Sequence, residues 1–240
     1  MLRALLLCLC CFTSLARADA ISIAAIDWEP FSGKNLPDGG FAVALCRTLL
    51  KNAGYESNVY FVPWTRALKG TESGTYQVNA AVWYAKDRAA YMLYSEPYTV
   101  NKLVFVSRSD TPFQYKGLSS LRGKRIGVGQ DYAYPQEILH APDVRFDEAI
   151  DDEQNLRKLF SGRIDLTLGD ELNLRYEARK LNQRSDVFYF DKTPLDEKPL
   201  YITVSKAMPN AEKVLADLNR ELAKMKANGS FDALLKQYGF

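Results

Sequence analysis

One histidine, His140, and one cysteine beyond residue 11, Cys46, are all that the chain offers of two common metal-ligating side chains. No His/Cys spacing suits zinc. No Gly-x-Ser-x-Gly elbow presents a serine nucleophile. Gly127-Val128-Gly129 lacks the third glycine of a dinucleotide fingerprint, and there is no Walker-type loop. Cys8, Cys10 and Cys11 fall in the leader described below, so the mature chain has no pair of cysteines to bridge, and its stability must come from a core. Cys46 sits in an apolar helical run and reads as a buried, inert thiol. Excess charge is missing too. The 31 basic residues include Arg3 and Arg17 of the leader, and 31 − 2 = 29 balances the 29 acidic residues. Such a chain carries no electrostatic footprint for nucleic acid or an anionic membrane. Carboxylates are plentiful and leave carboxylate-only catalysis open, but with few catalytic candidates the leading class is binding. No metal and no cofactor are expected.

What is present begins with an export signal. Met1-Leu2-Arg3 is a short basic start, Ala4 to Leu15 an apolar run too short to span a membrane, and Ala16-Arg17-Ala18 a small-x-small cleavage site. Cleavage after Ala18, with Ala20 as the alternative, leaves about 220 residues, enough for one large domain or two lobes.

After the leader, short apolar runs alternate with helical patterns. Ala20 to Ile26 reads as a buried strand ending at Asp27-Trp28-Glu29-Pro30-Phe31, and Gly40-Phe41 opens a helix to about Asn52. Tyr55 to Val62 is the next strand, and Pro63-Trp64 starts a short helix. Val78 to Val82 empties into Trp83 and a turn carrying Arg88. Tyr98 to Ser107 is a further strand. The alternation restarts at Arg125 to Val128, with a helix from near Pro135 and another over Asp151 to Phe160, Leu156 and Leu159-Phe160 turned inward. Its acidic first turn, Asp151-Asp152-Glu153, suits the helix dipole. Ile164 to Leu168 ends at Gly169-Asp170, followed by a helix to about Leu181, strands over Val187 to Phe190 and Leu200 to Val204, and a helix over Asn210 to Ala227. This is an α/β pattern with parallel strands. Its ligands bind beyond the carboxyl ends of the strands.

All three tryptophans, Trp28, Trp64 and Trp83, stand just past predicted strand ends. Arg88, five positions beyond Trp83, adds a permanently charged fork to an aromatic face, a pairing that suits an organic anion. The competing reading makes Trp83 core and Arg88 a solvated charge. Asp170 lies at another strand end, either as a partner for a ligand cation or as an N-cap.

These segments resemble the periplasmic solute-binding proteins of polar amino-acid ABC transporters, over essentially the whole mature chain. Asp27-Trp28-Glu29-Pro30-Phe31 is similar to the family's Tyr-x-Pro-Phe segment. Asp87-Arg88 with Ser95-Glu96-Pro97-Tyr98 is similar to its Glu-Arg…Phe-Ser-x-Pro-Tyr signature. Gly123 to Val128, Ser161 to Asp165 with Asp170, and Tyr238-Gly239-Phe240 follow in the family's order. The resemblance implies a two-lobed type II periplasmic binding fold, with lobe 1 over 19–107 plus 200–240 and lobe 2 over 108–199. It implies a protein that binds an amino acid or related carboxylate and serves an ABC permease; the chain is expected to be a monomer. Arg88 would hold the α-carboxylate, Asp170 the α-ammonium, Trp28 and Trp64 would flank the side chain, and the backbone at Ala81 and Trp83 would add hydrogen bonds. A sensor presenting to a membrane receptor and a dehydratase-like enzyme are the alternatives on the same scaffold. The chain departs from the family at Asp131-Tyr132, where Gly-Thr or Gly-Ser is common, and at Ala81, Trp83 and Ala85, where Ser or Thr is common. The pocket should be smaller and more apolar than its relatives'. Gln77 replaces an aspartate in lobe 1.

Overall fold

The computed structural model describes residues 20–182 and 186–240, so the leader expected over residues 1–18 lies outside the described residues. The first α/β unit forms as its apolar spacing requires. Strands β1 (Ile21–Ala25), β2 (Ser57–Phe61) and β3 (Val78–Trp83) pair in parallel with β1 in the middle. Helix α1 (Phe41–Asn52) buries one face against them, and α2 (Trp64–Glu72) begins directly after Pro63. A second parallel ladder consists of β6 (Arg125–Gly129) between β7 (Arg145–Ala149) and β8 (Leu166–Asp170). It is covered by α4 (Asp152–Phe160) and α5 (Glu171–Asn182). A single helical turn, α3 (Gln136–Leu139), follows β6 and ends at the exposed His140.

Two long antiparallel strands join the ladders, β5 (Thr99–Arg108) and β10 (Asp196–Ser205). The sheet is therefore mixed, not parallel throughout, in the order β2-β1-β3-β10-β5-β8-β6-β7. Beside that path, β4 (Met92–Tyr94) pairs with β10 and β9 (Phe188–Phe190) with β5. Each long strand pairs with the other through its first half and with one ladder through its second. β10 pairs with β3 through its later residues, and β5 pairs with β8 through its own.

The chain then returns to the first ladder. Helices α6 (Ala211–Ala227) and α7 (Ser230–Gln237) pack on α1. Phe41, fully buried, gathers Tyr98, Phe231 and Phe240 at ring-centroid distances of 5.9, 6.1 and 5.2 Å. Cys46 is fully buried on α1, and burial pushes its thiol up to about 12.

One expectation needs correction, and one strand has no counterpart in the sequence reading. Phe160 was expected to face inward but is 55 % exposed. Leu156 and Leu159 hold the buried face of α4, and the next residue turns about 100° away from it. Strand β7, Arg-Phe-Asp-Glu-Ala, carries no apolar alternation because it is a polar edge, so nothing in its composition announced it. No helix among the described residues is long and apolar enough to cross a membrane.

Candidate functional site

The carboxyl ends of β1, β3 and β6 bring Ile26, Trp28, Ala81, Trp83, Tyr132 and Ala133 around one cavity, closed by Trp64 at the start of α2 and by Arg88. Six of the residues singled out from sequence thus border one space: Arg88, Trp28, Trp64, Trp83, Ala81 and Tyr132. Asp170 does not border it.

Each lining side chain is held from behind. Trp28 is fixed by a tight turn in which its N–H donates to the Ser32 carbonyl at 2.8 Å, while Ser32 Oγ donates to the Ile26 carbonyl at 2.6 Å. Its indole stacks on Phe31 at 4.7 Å. Trp83 Nε1 donates to Asn101 Oδ1 at 2.9 Å, which pins the ring toward β5. Gly129 closes β6 where a Cβ would meet the Tyr132 ring at 2.8 Å, so glycine is what lets that ring fold back over the strand end. Tyr134 OH accepts from Gly129 N and donates to the Leu168 carbonyl, clamping the loop to β8. The rings of Trp28, Trp83 and Tyr132 meet edge to face in sequence, at 5.7 and 5.8 Å, and carry an aromatic path from the first ladder to the second.

Arg88 opens the short 3-10 turn Arg88–Ala90 and is only 6 % exposed. Its guanidinium lies 5.2 Å from the Trp64 ring and donates to the backbone carbonyl of Asp131. Among the described residues no carboxylate comes within ion-pair distance of it. The same carbonyl accepts from Trp64 Nε1 at 3.0 Å, and Asp131 Oδ2 accepts from Thr65 Oγ1 at 2.7 Å. Asp131 takes the left-handed conformation, φ 59°, which turns its carbonyl toward Arg88 and its carboxylate away. A second tie crosses the cleft where Asn173 Nδ2 donates to the Glu29 carbonyl at 2.6 Å. In this closed arrangement the cavity measures about 30 Å³, room for about one or two waters. Thr65, Asn173 and the Asp131 carbonyl escaped the sequence reading, since a backbone carbonyl has no residue signature.

Asp170 is 1 % exposed and caps α5, its Oδ1 accepting from Asn173 N at 2.8 Å, while Oδ2 and the nearby Asn101 Nδ2 make no close hydrogen bond. Asp152, read from sequence as one of three dipole-favoured acids, behaves otherwise. Asp151 is the N-cap, accepting from Gln154 N, whereas Asp152 is 3 % exposed and has only the indole N–H of Trp28 as a nearby donor, too poorly aligned for a close hydrogen bond. Burial, reinforced by Asp170 nearby, pushes Asp152 up to about 8, and burial pushes Asp170 up to about 7.

In the unfolded chain these carboxyls ionise near 4. Between that pH and about 8 the folded chain holds more protons than the unfolded one, so their contribution makes stability fall as pH rises through this window. Asp152→Asn cannot ionise. It should gain on the order of a few kcal/mol over wild type at about pH 8.5 and almost nothing at about pH 4.5, in urea unfolding at both pH values.

The model of the bacterial extracellular solute-binding proteins, family 3, matches residues 21–240. The L-cystine-binding protein of Escherichia coli (strain K12) is 25 % identical over 218 residues, covering 88 % of this chain and 79 % of its own. The ABC transporter arginine-binding protein 1 of the same organism is 26 % identical over 219 residues, covering 88 % and 86 %. Among solved structures, a histidine kinase sensor domain with similarity to periplasmic binding proteins superposes with a TM-score of 0.79 at 19 % identity, covering 92 % of this chain and 96 % of that one. The fold is the two-lobed type II periplasmic binding fold.

Proposed function

Since the chain belongs to the bacterial extracellular solute-binding proteins, family 3, we propose that it captures a small amino acid-like or carboxylated solute in the periplasm and delivers it, unaltered, to an ABC permease. The observation that carries this reading is Arg88. A buried cation that meets only a carbonyl and an indole face is a costly feature unless an anion completes it. Its planar fork matches a carboxylate. In this reading the ligand's carboxylate takes the place of the Asp131 carbonyl on Arg88, Trp28 and Trp64 flank the ligand's side chain, and Trp83 and Tyr132 limit its size. The backbone at Ala81 and Trp83 adds hydrogen bonds, and Asp170 receives the α-ammonium through Oδ2, which makes no close hydrogen bond. Lobe 1 comprises 19–107 with 200–240, lobe 2 comprises 108–199, and β5 and β10 are the hinge that lets them part and close. The named relatives bind amino acids, which supports that ligand class.

A thermal-unfolding screen of the exported chain against amino acids and small carboxylates tests the reading. A true ligand at a hundred times its dissociation constant adds about 2.7 kcal/mol to stability. No shift with any α-amino acid or carboxylate would count against it.

A further inference from the structure

Three donors from one side of the cleft converge on a single residue of the other. Asp131 lies at the tip of the loop after β6, in the second ladder, whereas Trp64 and Thr65 open α2 and Arg88 follows β3 of the first. Arg88 and Trp64 Nε1 donate to the Asp131 carbonyl, and Thr65 Oγ1 donates to Asp131 Oδ2 at 2.7 Å. The direction of that carbonyl is set from behind. Gln130 N donates to the Ala149 carbonyl and Gly129 N to Tyr134 OH, each at 2.8 Å, which ties the base of the loop to the second ladder. Asp131 holds φ 59°, a left-handed conformation that a non-glycine residue keeps only where its surroundings over-determine it. The choice of acceptor matters as well. Arg88 meets the neutral carbonyl, while the carboxylate of the same residue is turned aside to Thr65. A charged acceptor makes the stronger bond to a guanidinium, so this contact holds the cleft yet yields to a carboxylate.

We propose that Asp131 is an internal ligand of the anchor: in the solute-free chain it latches the two ladders shut through Arg88, Trp64 and Thr65, and a solute binds by displacing it. The proposal rests on the reading that Arg88 holds the solute's carboxylate. The latch lowers affinity for every solute by the same factor, because only the unlatched fraction of the chain can bind. Its strength therefore sets the concentration at which the protein fills. Thr65 is the residue through which that strength can be changed alone, since it touches Asp131 Oδ2 and leaves Arg88 and the aromatic walls as they are.

Small-angle X-ray scattering of the full chain, stripped of carried-over solute by unfolding and refolding, tests the latch without any ligand. Titration with acetate, and with acetamide as its neutral isostere, tests its cost. Solute-free wild type should scatter as this closed structure does. Thr65→Val, which removes one hydroxyl, and Asp131→Gly, which removes the carboxylate and still accepts a positive φ, should each enlarge the radius of gyration. Asp131→Asn keeps an acceptor for Thr65 and tolerates the left-handed conformation, so it should stay closed. Unfolding curves report that each variant is folded. Acetate affinity should rise about three- to tenfold in Thr65→Val and Asp131→Gly, the worth of one hydrogen bond. The double variant should gain little beyond either single one, because both break the same bond. An open wild type, scattering unchanged by both substitutions, or acetate affinity that is unchanged or falls in Thr65→Val overturns the latch. The failure of the Arg88 reading looks different. Variants that open as expected while the chain binds no acetate, or binds acetate and acetamide equally, keep the latch and overturn the carboxylate anchor.

Discussion

Arg88→Ala should weaken ligand binding by about 2–5 kcal/mol, roughly 30-fold to several thousandfold, while leaving a folded protein. The large effect follows from burial. Arg88 is 6 % exposed, and the ligand carboxylate it would hold is desolvated on closure, so truncation leaves that anion without a partner. The small effect on folding follows from its present contacts, a shared backbone carbonyl and one indole face, because removing a buried cation also removes its desolvation cost. Arg88→Lys should not rescue binding, because a point charge cannot reproduce two parallel donors. Titration calorimetry on both variants, with unfolding curves alongside, checks the prediction. Unchanged affinity in Arg88→Ala would remove the anchor from the site.

The second large effect belongs to Trp83. Trp83→Ala should destabilise the chain by about 3–5 kcal/mol, the usual cost of emptying a buried aromatic position. The ring is 6 % exposed, meets Trp28 and Tyr132 edge to face, and satisfies Asn101, whose oxygen would be orphaned. The same substitution should enlarge the cavity and shift preference toward bulkier side chains. Trp83→Phe separates the two consequences. It keeps most of the volume and loses the indole N–H, so about 1–3 kcal/mol should be lost with little change in ligand preference. Urea unfolding measures the first effect and a ligand series the second. A fully stable Trp83→Ala chain would mean that the ring is not part of the core that shapes the cleft.

The elements that could be read from sequence are those whose signals are local. Apolar runs marked β1, β3, β5 and β8, and Pro63 marked the start of α2. The tryptophans past strand ends and the Arg88 turn gave away the cavity, because strand carboxyl ends converge in such sheets whatever the ligand. What stayed hidden depends on tertiary contacts. The polar edge β7 forms because β6 offers it a ladder, and its own residues do not ask for one. The crossing strands β5 and β10 turn two parallel ladders into one mixed sheet, a pairing set by long-range register. Asp152 and Asp151 are adjacent and chemically identical, yet one is a cap and the other is buried against β8. Only the packing of α4 separates them. Asp131 was visible as an unusual residue in its loop, but its sequence could not disclose that the backbone carbonyl, turned by a left-handed φ, is what Arg88 meets.

The central claim is that Arg88 recognises a carboxylate in a cleft that closes around it. Titrating the chain with a bound α-amino acid and with the corresponding α-amide measures that recognition alone, since the two ligands differ only in the charged group. The account predicts that the acid binds and that the amide loses about 2 kcal/mol or more of affinity, a difference that disappears in Arg88→Ala. Equal affinity for acid and amide in the wild-type chain would contradict it.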